Sequence, residues 1–504
     1  MTALRSIRIL FLLLVLLPGA QASGLAQPQV AAKPGGQILE LSVEEVALLV
    51  LQHNRDLQVR RLNPIITGTF EQLERGVFDP EVFAELVVAR ERASETARST
   101  GTQFDVDGRD SAAIAGIRTL LPTGTSLEAS VEQSRSISNR SPEQQVARLG
   151  LTVTQSLLQG FGPAVNLADV RQARLGTVAS RYQLRAFTEV LLAEAETAYW
   201  NFVLAKEQIA IFESSLGVAR QQRDETELRI EVGLLPEVEA AAARAEVARN
   251  EQALIDARSL LEARRLRLLR LLNPDRDDAF DARLAATSDP RTALVPISVQ
   301  DRAERLLLAE KMRPELNEAR LLLQQQRLET VITRNGLLPR LDFFVSLGKT
   351  GFADTFSDSF RELDGKTFDL QAGLRLSKAL GNNAAEARDL AARTSRQQAQ
   401  EAVANLSQLV HLDIRLAINE LERAGQQIAA SATTRSLQEE TLVAERERFE
   451  VGASTNLLVT QAQRDLLASQ IDEVEAIVNY RIALVNLFLA EGSLLERRGI
   501  RMDS

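Results

Sequence analysis

The chain contains no cysteine. That excludes disulfides, thiolate metal sites, a cysteine nucleophile and a lipid anchor on cysteine. Histidine occurs only at His53 and His411 among 504 residues, too few for an imidazole metal cluster, and both read as surface or packing residues. Aromatics make up 4% of the chain, and Ala, Leu, Arg, Glu and Gln dominate. Such a composition suits long helices and coiled coils better than a compact enzyme core. A net charge of −9 argues against a nucleic-acid partner. No cofactor is implied either: Gly160-Phe161-Gly162 lacks the further Gly or Lys of a phosphate loop.

Long apolar runs are also missing. Residues 1–22 read as a secretory signal, with Arg5 and Arg8 before an apolar core at 9–17 and Ala20-Gln21-Ala22 as a cleavage site. That core is well short of the roughly 20 residues a spanning helix needs. The mature chain is therefore expected to be exported and, if it crosses a membrane, to cross it as strands. Residues 23–40, rich in Gly, Pro, Gln and Ala, read as a mobile segment.

What is present is periodicity of two kinds. Ser42-Val43-Glu44-Glu45 is a capping box that opens a helix to about Asn54; a second helix runs to Arg75, with Pro64 as a possible kink. After Phe78-Asp79-Pro80 the apolar period changes from 3.6 to 2. Val82, Ala84, Leu86 and Val88 alternate with their neighbours, as do Leu127, Ala129 and Val131, and Leu149, Leu151 and Val153. Polar loops are expected at about 91–110 and again before 148. Gly160-Phe161-Gly162 ends this strand zone. Helix then extends from 163 to 272, broken once at Val232-Gly233-Leu234-Leu235-Pro236.

The pattern then restarts. Residues 273–312 are mixed, with Pro290, Pro296 and a short helix near 299–311. Beyond Pro339, Leu341, Phe343, Val345 and Leu347 form one alternating strand; Phe368, Leu370, Ala372, Leu374 and Leu376 form another. Their polar faces carry Arg340, Asp342, Asp369, Gln371 and Arg375. After Gly381 a second arm runs to Glu450, breaks at Val451-Gly452, and continues to about Ala490. Gly162 to Gly233 and Gly381 to Gly452 span the same number of residues, so the two arms match in length. The strand zones differ by 40 residues, and the extra length in the first is either another hairpin or long loops.

The unit of helix, strands, very long helix, break and long helix is thus used twice. The boundaries read as 1–22 signal, 23–40 mobile segment, 41–272 first repeat (strand zone about 80–160, arm 163–272), 273–312 linker, 313–492 second repeat (strand zone about 339–380, arm 382–490) and 493–504 tail. The fold class is mostly α with a β-barrel portion. An open sheet edge in lipid leaves backbone groups unpaired. Four to six strands are too few to close a barrel alone, so the barrel must be shared. Two hairpins per chain close as a homotrimer of twelve strands, with the long helices continuing it as a tunnel.

These residues resemble the TolC-like outer-membrane factor family over nearly the whole mature chain. The similarity rests on residues 151–162, from Leu151-Thr152-Val153-Thr154 to the Gly-Phe-Gly turn, on Ala198-Tyr199-Trp200-Asn201-Phe202, and on 448–458 around Glu450-Val451-Gly452. The resemblance implies a homotrimer in the cell outer membrane, with a helical tunnel in the periplasm and residues 273–312 together with the C-terminal end in a belt about its middle. It implies no catalysis. It also implies a passive exit duct for a tripartite efflux pump or type I secretion system, with a periplasmic adaptor and an inner-membrane transporter as partners.

The helix breaks then become periplasmic tips. Gly233, Pro236, Glu237, Glu239, Gly452 and Asn456 are the candidates for adaptor docking or gating. Some members of the family place carboxylates just after the second break; Leu458 and Gln461 stand there here. Glu237 and Glu239 are the candidate acidic ring, against a plainer reading as solvated tip carboxylates. The competing function is a periplasmic coiled-coil structural or adaptor protein without a pore, which would have no need of an apolar face on Leu341, Phe343, Leu370 and Leu374.

Overall fold

A computed structural model describes residues 38–96, 98–139, 141–273, 280–292 and 302–501. The signal-like segment, residues 23–37 of the stretch read as mobile, and Pro296 lie outside them. Residues 38–40 of that stretch are not loop: they belong to strand β1 (Ile38–Leu41), which pairs in parallel with the distant strand β6 (Arg283–Ala286).

The capping box forms as read. Ser42 Oγ accepts the Glu45 N–H at 3.2 Å, and the Ser42 N–H donates to Glu45 Oε2 at 2.7 Å, opening α1 (Val43–His53). Asn54 then ends α1 and caps α2 (Arg55–Arg61), taking the Leu57 N–H at 3.0 Å. Pro64 does not kink a helix. It occupies the first turn of α3 (Asn63–Arg75), where its missing N–H would have had no intrahelical partner.

Four strands follow: β2 (Glu81–Thr96), β3 (Gln103–Leu120), β4 (Thr125–Ser138) and β5 (Ser141–Ser156). The helix expected from 163 is interrupted at Leu167, separating α4 (Pro163–Asn166) from α5 (Ala168–Glu231). The Asn166 side chain explains the interruption. It donates to Pro122 O at 3.1 Å and Gly160 O at 2.8 Å, tying the junction to the strand turns. At 64 residues, α5 is about 96 Å long.

The rest of the chain comprises α6 (Val238–Leu272), β6 (Arg283–Ala286), α7 (Arg302–Met312), α8 (Pro314–Gly336), β7 (Arg340–Ala353), α9 (Phe356–Arg361), β8 (Phe368–Ser377), α10 (Asn383–Glu450), α11 (Asn456–Glu491) and α12 (Leu494–Arg497). The helices pack four abreast. Toward the tips the neighbours run α6, α5, α11, α10; toward the strands they run α3, α5, α8, α10. Only α5 and α10 traverse both halves.

A core of buried side chains lies midway along these helices. Leu57, Tyr199, Leu268 and Leu269 are buried together with Val46 and Val50. Tyr199 Oη donates to Leu41 O at 3.0 Å and accepts the Ser288 N–H at 3.0 Å, so it clamps the β1–β6 pair onto α5. Trp200 is buried in the same cluster, edge-on to Tyr199 at 5.3 Å, with the Arg481 guanidinium over its ring. It packs between helices in this cluster. Each histidine is placed peripherally: His53 is exposed, and His411 Nε2 lies 2.7 Å from Glu310.

Candidate channel wall and tips

β2, β3, β4, β5, β7 and β8 form one antiparallel sheet in that order. The extra length of the first strand zone is therefore another hairpin, and the expected two hairpins per chain become three. The expected polar loop at 91–110 is also corrected. Glu81–Thr96 and Gln103–Leu120 pair along their whole length, from Glu81↔Arg118 to Thr96↔Gln103. The polar stretch before 148 is likewise paired strand, in β4 and β5.

Register turns five separate alternations, with β3 paired between them, into two surfaces. Val82 faces Ile117, which faces Ala129; Ala129 faces Leu151, then Leu347, then Leu370. The apolar set of every strand thus falls on one face. On β2 it runs from Val82 to Val88, about 20 Å of strand, before Arg90 and Arg92 end it. A transmembrane barrel carries an apolar band of about 25 Å. The side chains are bare in the single chain: Leu86 is 75% and Leu374 66% exposed. Near the loop end α9 lies over this face, with Ser359 Oγ donating to Gln133 Oε1 at 3.3 Å.

The opposite face is polar and cross-linked by charge. Arg118 bonds Glu81 at 2.7 Å, Arg148 bonds Asp369 at 2.7 Å, and Ser156 Oγ donates to Asp342 at 3.2 Å. Two of the aromatics on it are seated in the same way. The Phe83 ring lies over Gly116 and under Arg118; the Phe344 ring lies over Gly373 and under Arg375. A Cβ added at Gly116 or Gly373 would meet the ring at 2.7 Å. Glycine is needed there for space, so the ring can lie flat on the wall.

At the other end of the molecule the two breaks have the same geometry. Gly233 and Gly452 both have φ of 77°. The Leu234 N–H reaches Arg229 O and the Gly233 N–H reaches Ile230 O; Ala453 to Arg448 and Gly452 to Phe449 repeat the pattern. These are Schellman closures, which need a left-handed residue and so favour glycine.

Pro236 and Glu237 are exposed just before α6. Glu239 and Asn456, from different arms, are brought together: Asn456 Nδ2 donates to Glu239 Oε2 at 3.4 Å. Asn456 is itself buried and accepts from Gln222 Nε2 at 2.7 Å. Deeper, Arg464 of α11 bonds Glu246 of α6, and that carboxylate holds the guanidinium pKa above its usual value. Sequence reasoning missed Gln222, Glu246 and Arg464, because their pairing depends on which arms lie side by side. After the second break Gln461 donates to Asp465 Oδ1 at 2.9 Å, so the first carboxylate beyond it lies one turn further along. Among the described residues no group of three or more His, Cys, Asp or Glu could hold a metal ion, and no helix is long and apolar enough to cross a membrane.

A family model described as outer membrane efflux protein matches residues 109–274 and 306–493. No curated protein matches in sequence. Among solved structures, the chain is similar to the Campylobacter jejuni CmeC outer membrane channel, at 17% identity over 90% of this chain and 86% of that one, with a TM-score of 0.64. The open state of the Neisseria gonorrhoeae MtrE outer membrane channel is similar at 18% identity over 90% and 89%, with a TM-score of 0.63. The outer membrane protein VceC from Vibrio cholerae is similar at 15% over 89% and 96%, with a TM-score of 0.64. At such identities the structures attest the fold. The family model goes further, because it spans both helical arms and the sheet from Arg109 onward: the chain belongs to the outer membrane efflux protein family.

Proposed function

We propose that this chain is the exit duct of an efflux assembly. A homotrimer closes its sheets into a barrel in the outer membrane and its helices into a tunnel through the periplasm. The duct conducts passively; it binds no cofactor and catalyses no reaction. A periplasmic adaptor docks on the tips around Gly233 and Gly452, and an inner-membrane transporter supplies the cargo and the energy. Glu237 and Glu239 line the tip opening as an acidic ring.

One observation carries the reading: six strands in register put every apolar set on one face and the ion-paired set on the other. A periplasmic coiled-coil protein would gain nothing from such a face and would expose it to water. Family membership adds the outer membrane and efflux. Two experiments test it. The protein is expected in the outer-membrane fraction, and the purified chain is expected to give steady ion conductance in planar bilayers without nucleotide. Recovery in the soluble periplasm would overturn the proposal.

A further inference from the structure

The six-stranded sheet has a consequence for the width of the exit. Every neighbouring pair in it is antiparallel, so its first strand, β2, and its last, β8, run in opposite directions. Rotation about the sheet's barrel axis therefore brings β8 of one copy beside β2 of the next as another antiparallel pair. Neither strand has a second partner among the described residues. The apolar band reaches both edges, through Val82, Leu86 and Val88 on β2 and Leu370, Leu374 and Leu376 on β8. An edge with this band in lipid is satisfied only by another strand, and a second copy of this chain is the partner that continues both band and register.

Arc lengths favour the same closure. Strands about 4.8 Å apart and tilted by about 40° each occupy about 6.3 Å of circumference, so six occupy about 38 Å. Four helices abreast at about 9–10 Å occupy about the same. A chain with two hairpins would cover only about 25 Å of barrel beneath the same helices. The third hairpin thus makes the sheet as wide as the helical layer that feeds it.

We infer that the shared barrel takes six strands from each copy and is eighteen-stranded in the trimer, with a water-filled lumen of porin width that continues the tunnel without narrowing. The inference rests on the exit-duct reading above. A lumen of that width admits polar, hydrated solutes too bulky for a twelve-stranded exit. The inference also makes β2 and β8 the interface between copies.

The test uses the full chain in planar bilayers, with uncharged polyethylene glycols of graded size added only on the outer side, so that they sample the barrel and not the tips. Excision of residues 81–120 removes the β2–β3 hairpin and is expected to lower the limiting polymer diameter by about one third. An unchanged limit overturns the inference. A second measurement does not depend on that variant folding. Leu86→Trp and Leu374→Trp are each placed in bilayers of brominated lipid, with Trp200, the chain's one tryptophan, midway along α5 as a constant background. Equal quenching at both positions is expected. Quenching at 374 without quenching at 86 overturns the inference, because the hairpin then lies outside the wall. Quenching at neither position overturns the exit-duct reading itself.

Discussion

The Arg498 guanidinium lies against both carboxylate oxygens of Glu196, at 2.7 and 2.6 Å. Glu196 sits in the middle of α5 and is fully buried; the pair ties the end of the chain to its longest early helix. The contact holds the Arg498 pKa above its usual value. Arg498→Ala leaves a buried carboxylate without its counter-charge and should cost about 3–5 kcal/mol. Urea denaturation of the purified protein checks this. The double variant Glu196→Leu with Arg498→Ala should recover a large part of the loss, since no unpaired charge then remains.

Glu189 is buried one turn-pair away, 3.1 Å from Arg185. Burial outweighs the guanidinium and pushes its pKa from 4.5 up to about 7. The folded chain therefore holds this proton more tightly than the unfolded chain. Its contribution to stability is full below about pH 4.5 and is lost as the pH rises to about 7. Glu189→Gln should raise stability at pH 8 by about 2–3 kcal/mol and leave it unchanged near pH 4. Thermal unfolding at the two pH values decides it; a gain independent of pH would contradict the assignment.

Asn456 bridges Gln222 and Glu239 at the tips. Asn456→Ala removes both bonds and leaves the Gln222 amide without this acceptor, a loss of about 1–3 kcal/mol locally. The expected outcome is a tip that opens more readily. Single-channel conductance should rise relative to the parent protein, while global unfolding in urea shifts little.

Glu237→Gln together with Glu239→Gln removes both carboxylates of the proposed acidic ring. Cation selectivity, read as the reversal potential across a salt gradient, should fall. An unchanged reversal potential would return the two residues to ordinary solvated positions.

Gly373→Val would drive a side chain into the Phe344 ring, which lies 2.7 Å from the place a Cβ would take. The ring would have to leave the wall and the Arg375 stack. Overpacking of this kind costs about 1–3 kcal/mol, and the proposed trimer should dissociate at lower temperature on semi-native gels. Gly373→Val combined with Phe344→Ala should restore much of the loss.

The sequence made the long-range plan readable because its signals are punctuation. Val232-Gly233 and Val451-Gly452 mark the tips, and Pro80, Pro339, Gly162 and Gly381 bound the strand zones. Strand β3 was not readable. Ala112, Ala113 and Ala115 are small on both faces, and Gly116 and Gly108 replace side chains where alternation would show. Its apolar character comes from the neighbours that register supplies. The far ends of β2 were hidden for another reason: Arg90 and Arg92 pair across to Asp107, beyond the apolar band, and look like loop when read alone. The tip constellation was half visible. Glu239 and Asn456 were picked out singly, but Gln222, 234 positions from Asn456, carries no local signal of its role.

The equal span of the two arms, 71 residues from Gly162 to Gly233 and from Gly381 to Gly452, acts as a paired ruler. One residue inserted in α5 alone would advance its tip by about 1.5 Å and swing it by about 100°, parting Glu239 from Asn456 and leaving the other tip where it was. An insertion or deletion that keeps the two tips level is therefore expected to be matched in both arms. A proposed duct of different reach would need the two arms lengthened together, by about whole turns.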